Sequence, residues 1–134
     1  MTVLPFRPQR LPVLLIEDEP SVMACICAAL ERGGYSVVCC ESGVEALPML
    51  QSGSFLGVIS DMRTPGGVTG ADVHAWLAAN RPELASRLVF ITGDIANDET
   101  VDTLRKTGAP CVEKPFRVRQ FISVVETTLG KASS

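Results

Sequence analysis

Nothing in the 134-residue sequence approaches the roughly 18 consecutive apolar residues that span a bilayer, so no membrane insertion is expected. A basic excess is also missing: the formal net charge is −3 and the pI about 5.1, which leaves no stripe to neutralise a phosphate backbone. Direct nucleic-acid binding is therefore not expected. The opening MTVLPFRPQRL contains arginines but no continuous apolar region and no small-residue cleavage site, so it does not read as a secretory signal. A cytoplasmic protein is the expectation. Five cysteines occur, at 25, 27, 39, 40 and 111, without a CxxC spacing, so neither a zinc site nor a disulfide framework is written in the chain. They read as reduced thiols acting as small hydrophobes, with Cys39 and Cys40 on opposite faces of a strand. The single histidine, His74, reads as a surface or packing residue on a helix.

What is present is enough for one globular domain: apolar residues make up 46% and charged residues 20%. Residues 1–11, with Pro5 and Pro8 among arginines, read as an arm or linker, and 131–134 as a tail. Between them, apolar runs alternate with segments of helical period. Val13 to Ile16 is a short all-apolar run, as in a strand buried on both faces of a parallel sheet. Pro20 opens a helix carrying Val22, Met23, Ile26, Cys27 and Leu30, which Gly33 and Gly34 stop. Strands follow at Tyr35–Cys40, Phe55–Ser60, Leu88–Thr92 and Pro110–Glu113, and helices near 44–50, 71–80, 98–106 and 118–129. Five strands alternating with five helices imply right-handed crossovers and an α/β doubly wound sheet. The last helix has the clearest stripe, Val118, Phe121, Ile122, Val125 and Leu129. The helix near Asp98 offers mainly Val101 and Leu104, so thin packing and mobility are expected there.

In open parallel sheets, ligands sit beyond the carboxyl ends of the strands. Those ends here are Glu17-Asp18, Ser60-Asp61, Thr92-Gly93 and Glu113-Lys114-Pro115. Acids brought together there repel by about 4 kcal/mol per pair at ~4 Å and an effective dielectric of ~20. A hard cation such as Mg²⁺ answers that repulsion and joins carboxylates to phosphate oxygens. One carboxylate could then attack a phosphoryl group while Lys114 and Thr92 hold the transferred oxygens.

The series LLIEDEP, VISDMRTPGG, FITGD and VEKPF, in this order, resembles the receiver domains of two-component response regulators over residues 12–130. The resemblance implies a flavodoxin-like (βα)5 fold with strand order 2-1-3-4-5, a topology for which a receiver serves as the standard example. It implies a signalling module rather than an enzyme, one that assists its own phosphorylation and dephosphorylation. Asp61 would be the phosphoacceptor, Asp18 a direct Mg²⁺ ligand and Glu17 a second acid acting through a metal-bound water. Arg63 would offer its backbone carbonyl to the metal. Thr92 would bind a phosphoryl oxygen, Lys114 would pair with the phosphoryl group and Asp61, and the Lys114-Pro115 bond would be cis. Implied partners are a histidine kinase or histidine phosphotransfer domain and a downstream protein target, with a weak homodimer left open. Both a single-domain regulator and the receiver of a hybrid histidine kinase fit.

The sequence departs from that family in two places. The loop after Asp61 is one residue longer and carries Gly66-Gly67, and Cys111 stands where many receivers have an aromatic residue that rotates on activation. An aromatic switch is thereby excluded. Arg63 and Asp94, two residues beyond Asp61 and Thr92, would flank the path of water to an acyl phosphate and pair across it. Two alternatives stand beside the receiver reading. A haloacid dehalogenase-like phosphatase would place its nucleophile in DxD on the first strand, and a pseudo-receiver binding module would lack the intact acid, hydroxyl and lysine set.

Overall fold

The computed structural model describes residues 11–131. The expected arm and tail therefore lie outside the described residues except for Leu11 and Lys131. Strand β1 (Val13–Ile16) is inaccessible to solvent along its whole length. Its side chains alternate between two cores, as the period-2 geometry of a strand requires: Val13 and Leu15 enter one, Leu14 and Ile16 the other.

Around it the elements run α1 (Pro20–Arg32), β2 (Val37–Cys40), α2 (Gly43–Ser52), β3 (Gly57–Asp61), α3 (Gly70–Asn80), α4 (Pro82–Ala85), β4 (Leu88–Thr92), α5 (Asp98–Thr107), β5 (Cys111–Glu113) and α6 (Val118–Leu129). The five strands are all parallel, in the order β2-β1-β3-β4-β5. That is the flavodoxin-like order the family resemblance implied. Helices α1 and α6 supply Ile26, Leu30, Phe121 and Val125 to the core on one face, and α2 and α3 supply Leu50, Val73 and Leu77 to the other.

Local chemistry explains most helix starts. Pro20 opens α1 at a position whose N–H would have no helical partner. Ser42 caps α2 by accepting from the Glu45 N–H, Thr69 and Asp72 form a reciprocal capping box on α3, and Asn97 accepts from the N–H groups of Glu99 and Thr100 on α5. Gly108 ends α5 in the left-handed conformation (φ 67°).

Several details differ from the sequence reading: β3 runs Gly57–Asp61 rather than Phe55–Ser60, and β5 starts at Cys111 rather than Pro110. Strand β2 starts at Val37 rather than Tyr35, because the Tyr35 N–H bonds to the Leu30 carbonyl in the last turn of α1. Helix α4 was not expected; Pro82 starts it, Leu84 anchors it in the core, and Arg81 beside it donates to the Leu50 and Gly53 carbonyls. In α5 the buried residue is Thr100, while Val101 is 38% exposed. Val118, assigned to the stripe of α6, is 41% exposed at the first position of that helix.

Candidate functional site

The carboxyl ends of β1, β3, β4 and β5 converge on one crevice. Glu17 follows β1, and its carboxylate is completely buried. Its Oε2 accepts from the N–H groups of Asp18 (2.9 Å) and Glu19 (3.3 Å), and its Oε1 from Lys114 Nζ (3.1 Å). Lys114 also donates to Asp61 Oδ2 at 3.2 Å. One ammonium therefore bridges two acids from different strands. Asp18 is exposed at the rim, and each of Glu17, Asp18 and Asp61 offers a carboxylate oxygen within 4.8 Å of the others. Three carboxylates against one ammonium leave a formal charge of −2 if all are ionised. Such a set of hard oxygen donors fits a divalent cation such as Mg²⁺.

Electrostatics sort the acids. Burial pushes the Asp61 carboxyl up to about 6, the neighbouring Glu17 charge adds to this, and Lys114 only partly offsets it. Burial also acts against ionised Glu17, but the Lys114 hydrogen bond, the Glu19 N–H and the Lys114 charge outweigh it and hold Glu17 below its usual range. For Lys114, burial opposes the charged form, yet Glu17 and Asp61 together raise its affinity for the proton. Glu17 is thus the anchored anion of the pair and Asp61 the one whose charge is least compensated.

Backbone packing holds Asp61 in place. The Met62 N–H donates to the Ile91 carbonyl (2.8 Å), and the Gly70 N–H to the Met62 carbonyl (3.0 Å). A Cβ on Gly70 would stand 2.6 Å from the Asp61 carbonyl oxygen, so only glycine lets α3 begin this close to the end of β3. In the intervening loop, Gly66 and Gly67 adopt φ values of +90° and +84°. The loop is tied back by the Thr64 hydroxyl, which donates to the Val68 carbonyl and accepts from the Gly43 N–H at the start of α2.

Thr92 is buried, its Oγ1 accepting from the Asp94 N–H at 3.1 Å, and the Lys114 N–H donates to the Thr92 carbonyl at 2.7 Å. The Lys114–Pro115 bond is cis. Asp61, Thr92 and Lys114 share a cavity of about 280 Å³ with Arg63 and Asp94. Arg63 and Asp94 form no ion pair among the described residues. Asn97 and Thr100 complete the cavity wall and were not singled out from the sequence. The readable sign was Asn97 as a cap ahead of Asp98-Glu99. Cys111 is half-buried on β5, next to Phe90 in register, and burial pushes its thiol up to about 11.

The model of the response regulator receiver domain matches residues 13–126. The chain belongs to the response regulator receiver family. This sets aside the haloacid dehalogenase alternative. Among curated relatives, the receiver is 31% identical over 113 residues to the response regulator protein FleR of Pseudomonas aeruginosa, covering 84% of this chain and 23% of that protein. It is 28% identical over 117 residues to the response regulator receiver protein CpdR of Brucella abortus, covering 87% and 95%. The chain thus spans about a quarter of the first relative and nearly all of the second. Among solved structures, a CheY-like receiver from Methanospirillum hungatei aligns with a TM-score of 0.80 at 20% identity, covering 92% of this chain and 97% of that one. The receiver of a Pseudomonas aeruginosa sensor histidine kinase aligns at 0.78 and 20% identity, covering 90% and 98%; that structure has a magnesium ion coordinated in its active-site cleft. No helix among the described residues of the receiver is long and apolar enough to cross a membrane.

Proposed function

We propose that this receiver, residues 12–130, accepts a phosphoryl group on Asp61 from the phosphohistidine of a histidine kinase or histidine phosphotransfer domain, and passes the resulting change of shape to a downstream protein. The observation that carries the reading is the Lys114 ammonium, 3.1 Å from Glu17 and 3.2 Å from Asp61 inside a cluster of three acids. Glu17, Asp18, Asp61 and the backbone carbonyl of Arg63 would hold Mg²⁺. The magnesium-bearing receiver of similar fold supports that assignment. Bound there, the ion supplies compensation for the charge of the acids and of the transferred group.

The side chains divide the rest of the task. An Asp61 carboxylate oxygen attacks phosphorus as the bond from phosphorus to the donor nitrogen breaks. Lys114, now donating to the carboxylate, would turn to a phosphoryl oxygen, and Thr92 would exchange its Asp94 N–H contact for a hydrogen bond to another. Glu17, ionised and fixed by two backbone N–H groups, keeps Lys114 charged and oriented. The presence of all five of Glu17, Asp18, Asp61, Thr92 and Lys114 argues against a pseudo-receiver that only binds a partner.

Incubation with Mg²⁺ and acetyl phosphate or phosphoramidate should add one phosphoryl group in the intact mass. Asp61→Asn should abolish the adduct, and chelation of the metal should slow its appearance at least tenfold. A wild-type chain that stays unmodified with several donors would overturn the reading.

A further inference from the structure

Helix α1 and edge strand β2 bring two cysteines together away from the phosphoacceptor. Cys27 packs against the core between α1 and the sheet, and Val37 of β2 enters the same core. By strand alternation Cys39 faces that side too, whereas Val38 and Cys40 enter the opposite core. The Cys27 and Cys39 sulfurs lie 2.9 Å apart, with Cys39 exposed and Cys27 half-buried. Two thiolates bound to one zinc ion at ~2.3 Å in tetrahedral geometry would stand roughly 3.8 Å apart. The sulfurs are closer than that. The acid cluster at Glu17, Asp18 and Asp61 is the only group of three or more metal-ligating side chains found among the described residues, so no further ligand joins the thiols. The arrangement favours a sulfur–sulfur bond over a metal.

We propose that Cys27 and Cys39 form a reversible intramolecular disulfide when the protein meets a peroxide, stapling the C-terminal half of α1 to the edge strand. Cys39 is the exposed partner and is oxidised first: its thiolate attacks one peroxide oxygen, the O–O bond breaks, and the departing hydroxide takes up the proton released by the Cys39 thiol, leaving as water while Cys39 becomes a sulfenic acid. The Cys27 sulfur then attacks the Cys39 sulfur, the S–O bond breaks, and the departing hydroxide takes the Cys27 proton as a second water. Two thiols and one peroxide give one disulfide and two waters, the sulfurs being oxidised and the peroxide oxygens reduced. This order agrees with the Cys27 thiol, which burial, the Cys39 hydrogen bond and nearby charge push up to about 12, so that Cys39, not Cys27, meets the peroxide as thiolate. Cys25, two residues away, borders instead the cavity beside Pro115 and Phe116.

The test is thiol counting on the full chain. After treatment with hydrogen peroxide, unfolding and alkylation with N-ethylmaleimide should give three adducts instead of the five expected from the sequence, and dithiothreitol should restore all five. Proteolysis should yield the linked Cys27 and Cys39 peptides from monomeric protein. Cys25→Ser should still lose two adducts on oxidation, whereas Cys39→Ser should show no reversible pairwise loss. Retention of five adducts, loss that dithiothreitol does not reverse, or linkage only between chains would overturn the proposal. Because the readout is alkylation and not phosphoryl uptake, it stands or falls independently of the Asp61 assignment.

Discussion

Asp61 is the residue at which folding conflicts with the phosphoryl chemistry proposed for it. Burial, as the main cause, pushes its carboxyl from 3.8 up to about 6, so the folded chain binds this proton more tightly than the unfolded chain does. A raised carboxyl gives its stability contribution in full below the unfolded value and loses it as pH rises through about 6. Asp61→Asn removes that loss. The shift is equivalent to at most about 3 kcal/mol, and Lys114 loses one of its anionic partners in the variant, so a gain of about 1–2 kcal/mol is expected at pH 8 without Mg²⁺. Urea titrations at pH 4 and pH 8 check this: the advantage of the Asn variant should nearly vanish at pH 4. Equal advantages at both pH values would show that the burial of Asp61 charge is not responsible. Arg63 and Asp94 act on a smaller scale. They line the cavity of Asp61 without an ion pair, and in the proposed phosphorylated state they would pair across its mouth. An exposed pair is worth about 0.2–1 kcal/mol, which predicts a few-fold change in acyl phosphate lifetime that shrinks with salt. Dephosphorylation rates of Arg63→Ala, Asp94→Ala and the double variant should be non-additive; additive, salt-independent rates would leave the two charges unconnected.

At the scale of elements, what could be read in advance followed local chemistry, and what could not followed long-range contacts. Strands β1 and β4 and helix α6 have the bounds that their apolar runs indicated, because both strands are buried along their whole length and the stripe of α6, apart from exposed Val118, faces the core. The strand-end residues Glu17, Asp18, Asp61, Thr92 and Lys114 were legible as well, since parallel α/β topology dictates where strand ends meet. The direct Lys114–Glu17 bond, between residues 97 apart, and the Cys27–Cys39 contact had no local sign. Helix α5 was read as thinly packed, and it is: Thr100 is buried, Leu104 only partly so, and Val101 faces outward. Behind it, β5 presents Cys111 where an aromatic switch would sit. Saturation with beryllofluoride should therefore shift residues 98–113 as a population, with exchange broadening in NMR spectra. One sharp, fully shifted set of signals would contradict this. The junction of β3 and α3 should behave in the opposite way. In Gly70→Ala the new methyl meets the Asp61 carbonyl oxygen at 2.6 Å and the Phe90 ring at 3.1 Å, and a cost of about 1–3 kcal/mol is expected in urea unfolding.

Over the whole molecule the sheet divides the interior in two, and the site lies along the edge where both halves end. Alternate residues of β1 feed the two cores, so neither core shares its side chains with the other. Ile26 of α1 lies wholly in one, and Leu50 of α2 wholly in the other, both with no exposed surface. Ile26→Val removes one methylene and should cost about 0.5–1.5 kcal/mol, and Leu50→Ala about 2–5 kcal/mol with the cavity it leaves. Without shared partners, the double variant should equal the two single losses combined to within about 0.5 kcal/mol. Strands paired across the full sheet nevertheless bind both cores into one cooperative unit, so each variant should still unfold in a single transition with an unchanged urea dependence. Two separate transitions, or a coupling well above 0.5 kcal/mol, would mean that the sheet either fails to join the halves or transmits packing strain between them. The second outcome matters for signalling, because it would let a change in packing on one face of the sheet reach the edge that carries Asp61, the proposed phosphoacceptor, from the other.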